Sequence, residues 1–159
     1  MGSTATKKGF ETLPEEFIGN LKSNFNLNYF SFIVDASYFT KKKIISTGSD
    51  SIIWYVKDNK FRKKFAMKRI SKTKSLLENS YKDIINERDL LSKISHPFLV
   101  QMHFSFQDEN YLYMISNLMR GGDLRFWYSK KIFFSENQCK FIIACIILGL
   151  EYLHSNKIN

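Results

Sequence analysis

Lys68 and Glu87 are the pair whose types and spacing could do chemistry. Lys68 lies in FAMKRI, residues 65–70; on a strand the side chains alternate, so Ala66 and Lys68 share one face and Phe65, Met67 and Arg69 the other. Glu87 lies in YKDIINERDLLSKI, where Ile84, Glu87, Leu91 and Ile94 recur at helical spacing and set a carboxylate within an apolar stripe. A carboxylate there needs a cation. An ammonium oriented by a carboxylate can neutralise the oxygens of a polyphosphate. An exposed lysine and an ordinary helix glutamate would give the same letters, so the order of the surrounding elements has to decide.

Those elements are legible on both sides of the pair. Residues 43–47 and 52–56 read as strands flanking the tight sequence GSDS at 48–51, and a second turn at 57–60 leads into FAMKRI. The first turn would hang over the face carrying Ala66 and Lys68, where free backbone amides can cradle phosphates. Ile53 would face the same side as Lys68 and could press on a flat base. After the Glu87 helix, SHPFLVQMHFSF and YLYMIS read as two further strands joined by a turn at 107–110. In NLMRGGDLRF two glycines break the strand and Asp123 can cap a short helix. Ser135 with Gln138 caps a long apolar helix reaching about His154. Near the start, Thr12 and Glu15 form a capping box, Pro14 suits a first turn, and Phe17, Leu21, Phe25 and Tyr29 step by fours along an amphipathic helix.

A chain of 159 residues accommodates one domain with a real core, or one domain plus an arm. Hydrophobic residues at 44% with only two prolines exclude a disordered composition. The net charge of +9 favours anionic partners. Nucleic acid is not expected among them, because there is no Cys/His finger, basic heptad helix or glycine-aromatic strand motif. The basic residues, among them Lys41, Lys43, Arg62, Lys64, Lys72, Lys74, Lys130 and Lys131, read mainly as solvated surface. Cys139 and Cys145 lie in an apolar run with no histidine at ligand spacing and read as core thiols of a reducing compartment. The run FIIACIILGL at 141–150, bounded by Lys140 and Glu151, is too short to span a bilayer, and with no secretory signal the expected location is cytoplasmic. MGSTATKK fits N-myristoylation of Gly2, with Thr6 at the hydroxyl position and Lys7 and Lys8 behind it, which would add weak membrane association; an unmodified tail is the alternative.

The phrases HPFLV, FSFQDE, LYMI, GGDL, FSE and EYLHS, in register with FAMKRI and Glu87, resemble the small lobe of a eukaryotic protein kinase followed by the first two helices of its large lobe, in the group of cyclic-nucleotide-dependent kinases and protein kinase C. The resemblance covers about residues 10–158. The MG start, KKG at 7–9 and the aromatic positions Phe17, Phe25 and Tyr29 resemble the catalytic subunit of cyclic-AMP-dependent kinase, whereas GGDLR at 121–125 resembles the "yet another novel kinase" family; both readings stand. The implied fold is α+β, with an arm bearing an amphipathic helix over 1–38, a five-stranded antiparallel sheet with one long helix over 39–119, and the hinge exit with the first large-lobe helices over 120–159.

The implied activity is ATP-dependent phosphoryl transfer to protein serine and threonine, with magnesium in a complete domain. The resemblance places Ser46, Thr47, Gly48 and Ser49 in the phosphate loop, Lys68 on the nucleotide phosphates with Glu87 as its helix partner, and Ile53 and Ala66 on either side of adenine. It puts Ser116 at the back of the pocket, the backbone of Asn117 and Met119 on the base, and Leu91 and Met102 in a packed spine. Asp123 would accept from the ribose hydroxyl and from an arginine of the substrate, which hints at basic protein substrates; a regulatory subunit is a further implied partner.

Departures from the family pattern weigh on these expectations. In STGSDSII, Ser46 and Ser51 replace glycines and Asp50 adds a negative charge near the tip, so the backbone is hindered from approaching phosphate. The sequence ends at NKIN, where the family continues into its catalytic loop, metal-binding residues and activation segment. The expectation for these residues alone is therefore no catalysis, with Phe141, Ile142, Cys145 and Leu148 partly exposed and solubility poor. A noncatalytic kinase-like binding module and a truncated gene product are the alternative readings.

Overall fold

The computed structural model describes residues 34–158. The helix read between Thr12 and Tyr29 and the Gly2 site lie outside the described residues. Five strands, β1 (Phe39–Thr47), β2 (Ser51–Asp58), β3 (Lys64–Ser71), β4 (Met102–Gln107) and β5 (Tyr111–Asn117), form one sheet in the order β1-β2-β3-β5-β4, and every neighbouring pair is antiparallel. Helices α1 (Lys72–Leu77) and α2 (Tyr81–Lys93) lie between β3 and β4, and α3 (Leu124–Ser129) and α4 (Glu136–Ser155) follow β5. The architecture is α+β, as expected.

Alternation along the strands gives the sheet two apolar faces. On one, Ile70, Leu112 and Met114 meet Ile84 of α2, with Leu76, Leu91 and Met102 packed against them. On the other, Phe39, Val56, Phe65, Met67, Phe106, Tyr113 and Ile115 form an aromatic-rich layer, in which Phe106 stacks on Tyr113 with centroids 4.8 Å apart. Of the expected stripe, Ile84 is buried and Glu87 and Leu91 are half-buried on α2, whereas Ile94, also buried, falls just past the helix end on extended backbone.

Strand β1 begins four residues before the strand read at 43–47, and three further differences from the sequence reading each have a local reason. The second turn falls at 59–63, because Lys57 and Asp58 remain in β2 and the Asp58 carboxylate accepts the backbone N–H groups of Phe61, Arg62 and Lys63. Residues 95–101 are a loop, not strand: the Leu99 N–H donates to the His96 carbonyl around Pro97, which has no N–H to give a ladder. Helix α1 was not foreseen; its six residues are too few to display a period, and Ser71 caps it by accepting from the Lys74 N–H.

Helix α4 opens with the expected capping box, in which the Ser135 N–H donates to Gln138 Oε1 and the Gln138 N–H to Ser135 Oγ. At its far end it docks on the α2–β4 loop. Gly149 is buried against Phe98 and Leu99, the Ser95 N–H donates to the Tyr152 hydroxyl at 3.1 Å, and His96 stacks on Tyr152. Its twenty residues are long and apolar enough to cross a membrane by length and composition, more than the ten-residue run suggested. The cap and the docked end suit a helix packed within a domain. Cys139 is exposed and Cys145 half-buried, so the expected core thiols are not in a core.

Candidate functional site

The ammonium of Lys68 donates to both carboxylate oxygens of Glu87, at 2.9 and 2.7 Å. The pair exists because β3 and α2 are locked by the Ile70, Ile84 and Met114 cluster, which fixes the distance between the strand and the helix. Both side chains keep substantial solvent contact, with 30% of Lys68 and 41% of Glu87 exposed, so the ammonium is oriented but not sealed.

Sheet register supplies the surroundings. Ile53 stands opposite Lys68 across β2 and β3, Tyr55 opposite Ala66, and on the other side Ser116 opposite Ala66 and Met114 opposite Lys68. Ile53, Ala66, Lys68 and Ser116 thus share the face that looks toward α2, and Met102 lies opposite Ser116 on β4. Antiparallel partners put their Cβ atoms within about 5.5 Å of each other, so these residues are one patch. Alanine at 66 keeps the patch low beside the ammonium.

The turn carrying Gly48 and Ser49 is not an open cradle. The Gly48 N–H donates to the Ser51 carbonyl at 2.8 Å, which closes the hairpin and removes one amide from service. Its tip is also tied to the helices. Ser49 donates its hydroxyl to Glu78, Lys74 donates to the Ser49 carbonyl, Ser80 donates to the Asp50 carboxylate, and the Ser71 N–H donates to the Asp50 carbonyl. Glu78 and Ser80 were not singled out from sequence and Lys74 was read only as solvated surface; Lys74, Glu78 and Ser80 lie 25, 29 and 30 positions from their partners in the turn and follow no periodic pattern that would connect them to it. Ser46 and Thr47 are exposed at the end of β1, at the base of the same turn.

At the end of β5, the Asn117 N–H donates to the Gln101 carbonyl at 3.1 Å, so that amide is committed within the protein, and its side chain bonds His103. Met119 is 60% exposed just beyond. Asp123 caps α3 as read, one carboxylate oxygen accepting the Phe126 N–H at 2.6 Å. Gly122 before it has φ +75, and a side chain there would meet the Phe126 ring at 2.9 Å, so glycine is required. Among the described residues no group of three His, Cys, Asp or Glu converges as a metal site.

Lys72, read from sequence as solvated surface, is instead buried and braces the far end of the sheet. Lys72 donates to Gln107 Oε1 and to the Asp108 carbonyl, while the Tyr113 hydroxyl donates to the Asp108 carboxylate at 2.6 Å. Burial pulls the Lys72 ammonium below its usual range, against the opposing pull of Asp108 and Glu109. Burial and the Asp108 contact push the Tyr113 hydroxyl well above its ordinary value.

Comparison with known proteins agrees with this geometry. Residues 39–159 match the protein kinase domain family. The chain is 35% identical over 125 residues to a probable serine/threonine-protein kinase of Dictyostelium discoideum, covering 79% of this chain and 27% of that protein. It is 36% identical over 124 residues to the ribosomal protein S6 kinase alpha-3 of mouse and of human, covering 76% of this chain and 17% of each relative. The chain belongs to the protein kinase domain family. It spans little more than a quarter, or less, of the relatives' own lengths.

Proposed function

We propose that these residues are the nucleotide-binding part of an ATP-dependent protein serine/threonine kinase of the cyclic-nucleotide-dependent and protein kinase C group. The observation that carries the reading is the two-pronged hold of Glu87 on Lys68, on the sheet face shared with Ile53 and Ala66, in a chain of this family. The group assignment is supported by the phrases HPFLV, FSFQDE and GGDL.

ATP supplies the phosphoryl group, and magnesium accompanies it; no described residue is assigned to the metal. Lys68 neutralises phosphate oxygens, and Glu87 holds the ammonium in place so that it need not be reoriented as charge shifts during transfer. Ile53 presses on one side of the base and Ala66 leaves it room. The free oxygen of Asp123 accepts from the ribose hydroxyl. Transfer to protein hydroxyls, basic substrates and a regulatory subunit belong to the whole protein in this reading. So does a cytoplasmic location with weak membrane attachment through an acylated Gly2.

The test is titration of the chain with ATP and magnesium, followed by calorimetry. Saturable binding is expected, weakened at least about tenfold by Lys68→Met, since a hydrogen bond to a charged group contributes about 1.5–3 kcal/mol. Absent binding, or equal binding by the variant, overturns the proposal. Absent binding favours the second reading, a noncatalytic kinase-like module, which is supported by Ser46 and Ser51 in place of glycine and by the engaged Gly48 amide.

A further inference from the structure

We propose that the turn between β2 and β3 is a docking tip for an anionic lipid surface. Residues 57–64 read KDNKFRKK, five cations against the single acid Asp58. Asp58 is buried, and its carboxylate is used inside the turn, where it accepts the N–H groups of Phe61, Arg62 and Lys63 at 2.5, 3.1 and 2.9 Å. It offsets little of the outward charge. Lys57 and Lys64 stand directly opposite each other across β2 and β3, a like-charge placement that is unfavourable unless something neutralises it. Among the described residues, none of Lys57, Arg62, Lys63 or Lys64 has a carboxylate at ion-pair distance. An external anion would complete the arrangement.

Phe61 projects among these cations with 65% of its surface exposed. The turn holds it there. Arg62 adopts φ 61, the Asp58 N–H donates to the Lys63 carbonyl, and Asn59 donates from its backbone to Tyr38 and from its side chain to the Ser37 carbonyl. A braced hairpin tip with one exposed apolar ring among cations suits the boundary between headgroups and acyl chains, where anionic headgroups attract the cations and the ring is buried beneath them. Single-stranded nucleic acid, the other polyanion that uses rings and cations together, is held in grooves with successive stacking rings, and this tip presents the one exposed ring of Phe61. A second copy of the chain brings the same cationic tip, so contact between two tips is unfavourable. The tip lies at the opposite end of β2 from the Gly48 turn, so the inference is independent of nucleotide binding.

The test is co-sedimentation of the whole chain with phosphatidylcholine vesicles, with and without phosphatidylserine, in a Gly2→Ala background that removes any acyl group. Binding is expected only with phosphatidylserine. Arg62→Gln and Lys63→Gln should each weaken it about fivefold, following the attraction of about 1 kcal/mol per cation. Phe61→Ser should weaken it about tenfold, and Phe61→Trp should bind with a blue-shifted emission. All three side chains are exposed, so melting temperature should be unchanged. No binding to phosphatidylserine vesicles, or undiminished binding by Phe61→Ser, overturns the proposal. So does equal, Phe61-dependent affinity for a single-stranded RNA, which would reassign the tip to nucleic acid.

Discussion

Lys68 and Glu87 are joined by two short hydrogen bonds and yet stay 30% and 41% exposed. An ion pair in that setting contributes at most about 1 kcal/mol to stability. Its residues are therefore better explained by what the ammonium can hold than by what the pair holds together. Glu87→Gln should lower the melting temperature by no more than about 1 kcal/mol of stability allows, while weakening ATP binding by removing the charge that orients Lys68. Calorimetric melting beside an ATP titration checks both halves, and a large fall in stability with unchanged affinity would reverse the assignment. Ile84, one helical turn away and 5% exposed, should behave oppositely. Ile84→Ala opens a cavity at the contact between α2 and the sheet and should cost about 2–5 kcal/mol, read by denaturant unfolding. At this scale the site was largely legible in sequence. Strand alternation put Ala66 with Lys68, and helical spacing put Glu87 beside Ile84 and Leu91. Partners such as Glu78 for Ser49 were not legible, because a hydrogen bond between distant polar residues leaves no period.

At the scale of elements, the β1–β2 turn and the α1–α2 connection behave as one unit, through Ser49 with Glu78, Lys74 with the Ser49 carbonyl, and Ser80 with Asp50. Each bond is worth about 1 kcal/mol. Ser80→Ala together with Glu78→Gln should therefore speed amide hydrogen exchange in residues 48–51 by at least about fivefold, with the rest of the sheet unaffected. Unchanged exchange would show that the turn is held by its own closure, the Gly48 to Ser51 bond, and not by the helices. The β4–β5 end carries a pH signature of its own. Tyr113 is pushed above the ordinary tyrosine value near 10, so its proton stays on in the folded chain where the unfolded chain would lose it. The stability this supplies is complete below about pH 10 and lost as pH rises beyond it. Tyr113→Phe should flatten the fall in stability above that point, measured by urea midpoints across alkaline pH. These couplings were invisible beforehand for the same reason that α1 was: a six-residue helix and single side-chain contacts carry no repeating pattern.

For the whole molecule, the five strands and their hairpin turns followed from alternation and turn residues and the α+β class from the family resemblance, whereas the order β1-β2-β3-β5-β4, with β5 between β3 and β4, was not legible in the sequence. The partial exposure expected of Phe141, Ile142, Cys145 and Leu148 is observed, and further apolar residues of the same helix join them. Helix α4 meets the domain through Gly149 and Tyr152, while Phe141 is 69% exposed and Ile143, Ile146, Ile147 and Leu150 are about half exposed. Apolar side chains left in water in this way drive association, at about 25 cal/mol for each Å² removed from it. The net charge of +9 opposes that association and is itself screened over about 8 Å at physiological salt. The balance should shift with ionic strength. Sedimentation of the chain should show self-association that grows as salt is raised, because repulsion weakens while apolar burial does not. Phe141→Gln with Ile147→Gln should restore a monomer at the same salt without lowering the melting temperature, since neither side chain is buried by the described domain. A chain that stays monomeric at high salt, or a double variant that melts earlier, would place those side chains in an internal contact instead.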